Sequence, residues 1–153
     1  MKIYLAGSCG IERRSYMKEI AATLRENGHT VFCPFELKID NAWDMPQEEW
    51  AAKVFACDTK AIDSAECVIL LSPGRVSTAG TNWEQGYAYA KGKPVYVFQY
   101  TSEPASLMSY CGCSNFFLVD NTTPMHTALQ ISTITSQLFA SECEKIPTSV
   151  VLT

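Results

Sequence analysis

The sequence has no excess of positive charge, no long apolar run and no complete dinucleotide-binding motif. The formal net charge is −4 and the pI is about 5.1, so the basic surface that duplex nucleic acid requires is missing. No apolar run approaches the roughly 20 residues that a membrane-spanning helix needs. The first loop contains Gly7 and Gly10, but it lacks the third glycine and the spacing of the dinucleotide motif. These absences argue against a nucleic-acid polymer or a membrane as the partner.

Patterns for metal binding and for disulfide bonds are also absent. The chain has two histidines and an odd number of cysteines, seven, and none of them shows the CxxC or His/Cys spacing of a zinc site. Cys33, Cys57 and Cys67 lie in apolar runs, where a free thiol behaves as a small hydrophobic side chain. We therefore expect reduced thiols in a cytoplasmic protein that binds no metal.

The overall composition is that of one globular domain over residues 1–153. Hydrophobic residues make up 47% and charged residues 18%, which argues against disorder, and a chain of this length can bury a core. The apolar run at residues 1–7 is too short for a secretory signal, so we expect it to form the first strand. The apolar tail at residues 146–153 is expected to dock on the domain.

The order of apolar segments predicts alternating strands and helices. A strand at residues 2–6, a helix that stops at Asn27-Gly28 and a strand at residues 30–33 form a βαβ unit, which favours a parallel sheet. Further strands are predicted at 67–71 (an unbroken apolar run, hence central), 94–100 and 115–119, and further helices from Pro46, from Gly80 or Thr81 to Lys91, at 106–110 and at 127–139. The sequence therefore predicts an α/β fold with a mainly parallel five-stranded sheet.

One predicted helix carries a carboxylate among apolar residues. From Pro46 onward, Trp50, Val54 and Asp58 recur at i, i+4 and i+8, so Asp58 is predicted to lie on the stripe that the helix buries. A carboxylate on a buried stripe needs either a partner or a chemical task. A structural cap or ion pair and a catalytic role both stay open for Asp58 at this point.

A second carboxylate, Glu84, lies in a segment of small hydroxyl residues and glycine that leads into a helix. We expect Glu84 in the first helical turn, close to unpaired backbone N–H groups that favour an anion. Thr81 and Glu84 fit a capping box, but a loop followed by a helix N-terminus is also where α/β proteins bind phosphates and sugars. Glu84 and Asp58 would suit a nucleophile and a proton donor, as in retaining glycosidases, whose carboxyl groups lie about 5 Å apart.

Three segments resemble the nucleoside 2-deoxyribosyltransferase family. They are KIYLAG at residues 2–7, CDTKAIDSA at residues 57–65, and GTNWEQGYA at residues 80–88 followed by GKPV at residues 92–95. The similarity covers residues 1–120 and keeps the family's order. It implies a flavodoxin-like three-layer α/β sandwich and an enzyme that breaks the N-glycosidic bond of 2′-deoxynucleosides without a metal or redox cofactor. It also implies a homodimer or higher homo-oligomer whose site is shared between subunits.

The resemblance implies roles for three residues. Glu84 aligns with the family's nucleophilic glutamate, which attacks C1′ and forms a deoxyribosyl ester. Asp58 aligns with the aspartate that handles the proton of the leaving base, and Tyr4 aligns with the tyrosine that positions the nucleophile. These assignments agree with the place of Glu84 near a predicted helix start.

Two positions depart from the transferase pattern. Thr78 stands where transferases have an aspartate, and Ser106 stands where they have an asparagine that a neighbouring subunit supplies to the sugar 5′-hydroxyl. Hydroxyl groups at these positions resemble the related 2′-deoxynucleoside 5′-monophosphate N-hydrolases, and they would hold a phosphate that an aspartate would repel. The expected substrate-binding residues are Gly7, Ser8, Arg13, Thr78, Gly80 and Ser106.

The acceptor of the sugar therefore stays open. A second nucleobase would make the protein a transferase, and water would make it a hydrolase acting on nucleosides or on their 5′-monophosphates. A non-catalytic nucleotide-binding module is a third possibility, although binding alone would not need the combination of Tyr4, Asp58 and Glu84.

Overall fold

Five parallel strands form a single sheet in the computed structural model, which describes residues 1–7, 14–119 and 123–143. The strands are β1 (Lys2–Gly7), β2 (Thr30–Phe32), β3 (Cys67–Ser72), β4 (Val95–Gln99) and β5 (Asn115–Leu118). Their order across the sheet is β2-β1-β3-β4-β5, which is the order of flavodoxin-like folds. Ser8, Arg13 and the tail at 146–153, for which we made predictions, lie outside the described residues.

The centre of the sheet is β3. All six of its residues are buried, and the strand pairs in parallel with β1 on one side and with β4 on the other. A strand that is covered on both faces needs a continuous apolar run, and the run CVILLS comes close to this, with one serine at its end. The prediction of a central strand at residues 67–71 is confirmed.

Helices cover both faces of the sheet. They are α1 (Arg14–Glu26), α2 (Gln47–Ser64), α3 (Ala79–Ala90), α4 (Leu107–Cys111) and α5 (Pro124–Cys143). Ile20 of α1 and Ile131 of α5 are buried on one face, whereas Ile62 of α2 and Ala88 of α3 share a buried cluster with Tyr4 on the other. The predicted three-layer sandwich is confirmed. No helix within the described ranges is long and apolar enough to cross a membrane.

The prediction that Trp50, Val54 and Asp58 form a stripe of α2 buried in the core is wrong. The helix starts one residue after Pro46, as expected, but Trp50 is 45% exposed and Ile62 is the only buried residue in all 18 positions. Only the C-terminal part of α2 reaches the core. Farther up the helix, Phe55 contacts Trp83 of α3, with 5.0 Å between the ring centroids. Helical periodicity predicts which face of a helix is apolar. It does not reveal whether that face packs against a neighbouring helix or against the core.

Candidate active site

A tyrosine of β1 and a glutamate of α3 are joined by a hydrogen bond. Tyr4 is fully buried, and its hydroxyl donates to Glu84 Oε1 at 2.8 Å. Phe32 of β2 stacks on the Tyr4 ring, with the centroids 5.5 Å apart and the planes inclined by 15°, so the phenol is held by packing as well. The sheet therefore fixes the position of one oxygen of the Glu84 carboxyl group.

The helix that carries Glu84 begins earlier than the predicted capping box requires. Thr78 is the N-cap residue of α3: its Oγ1 accepts a hydrogen bond from the Thr81 amide and lies 2.9 Å from Thr81 Oγ1. Glu84 consequently lies in the second turn, and its side chain bonds to Tyr4 instead of turning back to the helix start. The expectations of a Thr81–Glu84 capping box and of Glu84 in the first turn are therefore wrong.

Asp58 lies on the neighbouring helix α2 with part of its carboxyl group buried. Its Oδ1 atom makes no hydrogen bond within the described part of the chain, and burial raises the pKa of Asp58 to about 6. A buried carboxyl oxygen without a partner destabilises a fold, so its presence is better explained by a functional role than by a contribution to stability. The charge of Asp58 also raises the pKa of Glu84, the direction expected when one carboxylate lies near another.

Glu84 has the higher pKa of the two. Its pKa is raised to about 7, chiefly by burial; the hydrogen bond from Tyr4 opposes the shift, and the charge of Asp58 adds to it. The pair therefore holds a proton near neutral pH, because the two carboxyl groups resist ionising together. One carboxylate beside one carboxylic acid is the state that a nucleophile and a general acid require.

The other predicted substrate-binding residues lie at the ends of elements. Gly7 ends β1, Thr78 and Gly80 lie at the start of α3, and Ser106 is the N-cap residue of α4. Because the strands are parallel, these ends lie along the same edge of the sheet, where α/β proteins bind their ligands. The hydroxyl of Thr78 is engaged in capping, whereas that of Ser106 makes no capping hydrogen bond.

Gln85 is a residue that the sequence did not single out. It is buried beside Glu84 on α3, and its Nε2 atom donates to the carbonyl oxygens of Ser109 at 3.0 Å and Gly112 at 3.1 Å. These carbonyls lie at the end of α4, which with five residues is too short to be stable alone. Gln85 thus attaches α4 to the helix of Glu84, and a lone glutamine carries no periodic signal from which this contact could be predicted.

The described residues contain no arrangement suited to a metal ion, since no three His, Cys, Asp or Glu side chains are grouped as ligands would be. Cys33 and Cys67 are buried and belong to no disulfide bond, and burial raises the pKa of Cys33 to about 11. A thiol that stays protonated in an apolar environment is unreactive. The prediction of cysteines that act as small hydrophobic residues is confirmed for these two.

Replacing Tyr4 with phenylalanine is expected to raise the pKa of Glu84 further, because the hydroxyl that favours the ionised carboxylate is removed. A hydrogen bond to a charged group contributes about 1.5–3 kcal/mol, so we expect a rise of roughly one to two pKa units. The phenylalanine ring keeps its stacking on Phe32. The carboxyl group is followed by infrared or NMR titration, with Tyr16→Phe on the opposite face of the sheet as the control. A pKa that stays unchanged or falls would contradict this account of the site.

Known proteins share both the sequence pattern and the fold. The nucleoside 2-deoxyribosyltransferase family matches residues 3–133, and a search of curated proteins finds no match. A solved structure of a 2-deoxyribosyltransferase from Bacillus psychrosaccharolyticus is 32% identical, with a TM-score of 0.66 over 76% of this chain and 85% of that chain.

Two more distant structures share the fold alone. One is the CMP N-glycosidase of Clostridium botulinum, which is 20% identical with a TM-score of 0.60 over 88% of this chain and 99% of that chain. The other is a conserved protein of Enterococcus faecalis V583, 19% identical with a TM-score of 0.65 over 86% and 98%. Because the family match spans most of the sequence and the Bacillus enzyme is similar over three quarters of it, the chain belongs to the nucleoside 2-deoxyribosyltransferase family.

Proposed function

We propose that the protein is an enzyme that breaks the N-glycosidic bond of 2′-deoxynucleosides or of their 5′-monophosphates, with Glu84 as the nucleophile. The observation that carries the proposal is the pair of carboxyl groups at one site. One of them accepts a hydrogen bond from a buried tyrosine, and the other has a buried oxygen without a partner in the described ranges. Membership of the deoxyribosyltransferase family supports the reaction class.

In the proposed reaction, a carboxylate oxygen of Glu84 attacks C1′ of the sugar and forms an ester as the C1′–N bond breaks. The departing base keeps the bonding electrons, and Asp58 gives it a proton. A second base or a water molecule then attacks C1′, Asp58 takes up a proton from it, and the Glu84 carboxylate is released. Two displacements at C1′ leave the sugar with its original configuration.

The hydrogen bond from Tyr4 assigns the roles within the pair. A donated hydrogen bond favours a carboxylate at Glu84, whereas the pKa of Asp58 is raised by burial with no opposing donor. Glu84 has the higher pKa in the free protein, but the charge of Asp58 is one of the causes, and that charge disappears when Asp58 carries the proton. We therefore place the proton on Asp58 in the reactive state; the reverse assignment is the alternative.

The start of α3 supports a 5′-monophosphate as a substrate. The first turn of α3 has no acidic residue, and its N-cap Thr78 is uncharged, so the positive end of the helix dipole is not neutralised. Gly80 leaves open space at the second position of the helix, where backbone N–H groups are able to bind an anion. We propose that these groups and the hydroxyl of Ser106 receive the 5′ end of the substrate.

One assay distinguishes the possible substrates and acceptors. The protein is incubated with deoxynucleosides or with deoxynucleoside 5′-monophosphates, with and without a free acceptor base, and the products are separated by chromatography. Base exchange on nucleosides identifies a transferase, and free base released only from monophosphates identifies a hydrolase. If no substrate turns over and Glu84→Ala binds nucleotides as well as the unchanged protein, the catalytic proposal fails and a nucleotide-binding module replaces it.

Thr78→Asp is expected to impair the use of monophosphates more than that of nucleosides. Aspartate is at least as good an N-cap as threonine, so α3 keeps its start, while the added charge repels a phosphate bound there. We expect kcat/KM for the monophosphate to fall about tenfold relative to the nucleoside, which corresponds to about 1.4 kcal/mol. Thr78→Asn caps without a charge and is the matched control. Equal losses on both substrates would rule out a phosphate site at this helix end.

We also propose that a second copy of the chain covers the exposed apolar surface of α2, α3 and α4. Trp50, Phe55 and Trp83 are 45%, 56% and 44% exposed, and Leu107 and Met108 are 82% and 83% exposed. Large apolar side chains at this density mark protein interfaces. Sedimentation velocity should detect a homodimer or larger assembly, and a monomer at micromolar concentration would contradict the proposal.

If the site is shared, mixing inactive Glu84→Gln protein with Ser106→Ala protein should restore part of the activity.

A further inference from the structure

We infer that a set of contacts between α2 and α3 positions Asp58 for proton transfer to the leaving base. We call this set the α2–α3 clamp; its members are Phe55, Asp63, Trp83, Tyr87 and Lys91. The inference rests on the proposed function, because it assigns the clamp a role in the step that Asp58 performs. Within the part of the chain that the structure describes, no side chain of the clamp is hydrogen-bonded to the carboxyl group of Asp58 or Glu84, so its members are positioning residues.

The need for such a device follows from the way α2 is held. Asp58 and Glu84 lie on different helices, so the distance between their carboxyl groups depends on how α2 packs against α3. Glu84 is fixed from the sheet by Tyr4 at 2.8 Å. Asp58 has no comparable support: one of its oxygens is buried without a partner among the described residues, and α2 buries only Ile62 in the core. The packing of α2 on α3 therefore decides where the Asp58 carboxyl group lies.

The aromatic part of the clamp is a row of three rings. Phe55 of α2 contacts Trp83 of α3, with 5.0 Å between centroids and 54° between planes. Trp83 stacks on Tyr87, one turn farther along α3, at 5.1 Å and 11°. Rings at these separations attract each other beyond the area that they bury. This row joins the two helices on the N-terminal side of Asp58.

The polar part of the clamp joins the helices on the other side of Asp58. The hydroxyl of Tyr87 lies 3.1 and 3.2 Å from the two carboxylate oxygens of Asp63 and donates to them. Lys91 Nζ lies 3.1 Å from Asp63 Oδ1 and 5.0 Å from the centre of the Tyr87 ring. Lys93 Nζ adds hydrogen bonds to the backbone carbonyls of Asp63 and Ala65 at 2.8 and 2.7 Å, at the end of α2.

The two parts of the clamp bracket the carboxyl pair along both helices. On α2, Phe55 precedes Asp58 and Asp63 follows it; on α3, Trp83 precedes Glu84 and Tyr87 follows it. Proton transfer requires heavy atoms about 2.6–3.2 Å apart, and a displacement of about 1 Å at a reacting group can reduce a rate about 100-fold. A looser clamp should thus impair the protonation of the base, whereas the nucleophile held by Tyr4 should be little affected.

This difference separates positioning from a general loss of stability. The polar contacts among Tyr87, Asp63 and Lys91 are exposed and are not among the apolar residues assigned to the second copy, and single exposed ion pairs and hydrogen bonds stabilise a fold only slightly. Loss of stability would lower the turnover of every substrate alike. Loss of acid positioning would slow the first displacement only for substrates whose base must be protonated as it leaves.

The test therefore compares two leaving groups on the same 2-deoxyribosyl sugar. One is an ordinary nucleobase, and the other is an activated group that leaves without a proton, such as 7-methylguanine or 4-nitrophenolate. The variants are Tyr87→Phe and Asp63→Asn, which keep the shape of each side chain, and the double variant. The matched controls are Tyr89→Phe, a second tyrosine of α3 outside the clamp, and Glu49→Gln, whose ion pair with Lys53 stays within α2.

For the ordinary base, we expect each clamp variant to slow the first displacement about 5- to 30-fold, measured as the burst of released base before steady state, because a well-placed general acid contributes about 10²–10⁴-fold to that step. This measurement leaves out the second displacement, in which Asp58 accepts a proton whatever the leaving group was. For the activated group we expect less than about a twofold change. The double variant should lose less than the product of the two single effects, since Tyr87 and Asp63 contact each other and Asp63→Asn also removes the ion pair with Lys91. The controls should match the unchanged protein on both substrates.

Three results would overturn the inference. The first is an equal loss on both leaving groups, which would show that the clamp is only structural. The second is no loss on either leaving group while Asp58→Asn still discriminates between them, which would show that the clamp is unimportant. In both cases the proposed role of Asp58 survives. The third is an Asp58→Asn protein that does not discriminate between the leaving groups. In that case the proposed function of Asp58 fails, and the inference fails with it.

Discussion

Glu84→Gln is expected to abolish turnover while making the protein more stable at pH 8. The amide cannot form the ester at C1′, so kcat should fall by roughly 10³-fold or more. The geometry of the site should persist, because the amide oxygen of glutamine accepts the hydrogen bond from Tyr4 just as Glu84 Oε1 does at 2.8 Å. The substitution thus removes the nucleophile and leaves the surrounding packing in place.

The gain in stability follows from the direction of the pKa shift. The pKa of Glu84 is raised from 4.5 to about 7 in the folded protein, so the folded state binds the proton more tightly than the unfolded state. The stabilisation from this protonation is complete below pH 4.5 and is lost as the pH rises through about 7. At pH 8 the buried carboxylate should destabilise the unchanged protein by up to about 3 kcal/mol relative to the glutamine variant.

Thermal unfolding at pH 5 and pH 8 measures this effect. The difference in Tm between Glu84→Gln and the unchanged protein should be larger at pH 8 than at pH 5. Glu26→Gln, an exposed position at the end of α1, is the control and should show no such trend. A variant that keeps activity, or one that is less stable at pH 8 than at pH 5 relative to the unchanged protein, would contradict the proposed site.

Trapping of the covalent intermediate tests the assignment of the nucleophile directly. A 2-deoxyribosyl analogue with a fluorine at C2′ and an activated leaving group should form a long-lived ester, because the fluorine slows the second displacement by destabilising its oxocarbenium-like transition state. Mass spectrometry of the digested protein should place the sugar on Glu84. A sugar found on Asp58 would reverse the roles of the two carboxyl groups.

Asp58→Asn is expected to reduce the turnover of ordinary nucleosides by about 10²–10⁴-fold, the usual contribution of a general acid. In the first displacement, followed as the burst of released leaving group, the loss should be much smaller for an activated leaving group, because that group departs without a proton. The exposed Asp44 in the loop before α2 provides the control Asp44→Asn. Equal losses on both kinds of substrate would show that Asp58 does not donate the proton.

The pH dependence of this variant has a predicted sign. In the unchanged protein the pair titrates near pH 6 to 7, and kcat/KM should fall on both sides of this range because one proton must be present and only one. The charge of Asp58 raises the pKa of Glu84, so its removal should lower that pKa. NMR titration of the Glu84 carboxyl group should therefore give a lower pKa in Asp58→Asn than in the unchanged protein, and with an activated substrate the pH profile of this variant should lack the alkaline limb, because only Glu84 has to titrate.

The sheet was predictable because its signals are local. The run from Cys67 to Leu71 is apolar without interruption, and glycine or proline residues bound several of the strands, so strand positions follow from the chain alone. The alternation of strands with helices then fixes a parallel arrangement, because a right-handed crossover is the common solution. The five-stranded parallel sheet of the structure agrees with this derivation.

The site was predictable only in part, because it depends on contacts between elements. The family resemblance pointed to Tyr4, Asp58 and Glu84, and the structure brings them together, but local patterns gave the wrong reasons for two of them. Glu84 fitted a capping box that Thr78 makes unnecessary, and Asp58 was assigned to a core-facing stripe on a helix that buries only Ile62. Spacing along a chain reveals which residues share a face and leaves open what that face meets.

The hydrogen bond between Tyr4 and Glu84 has a consequence for folding. Its two partners are 80 residues apart in the chain, and β1, which carries Tyr4, is paired with β3 in the middle of the sheet. Contacts of such long sequence separation form late and slowly, since a large loop must close first. Catalytic competence should therefore appear only when the first strand has found its central place, so that recovery of activity after dilution from denaturant reports the completion of the sheet and not its early helices.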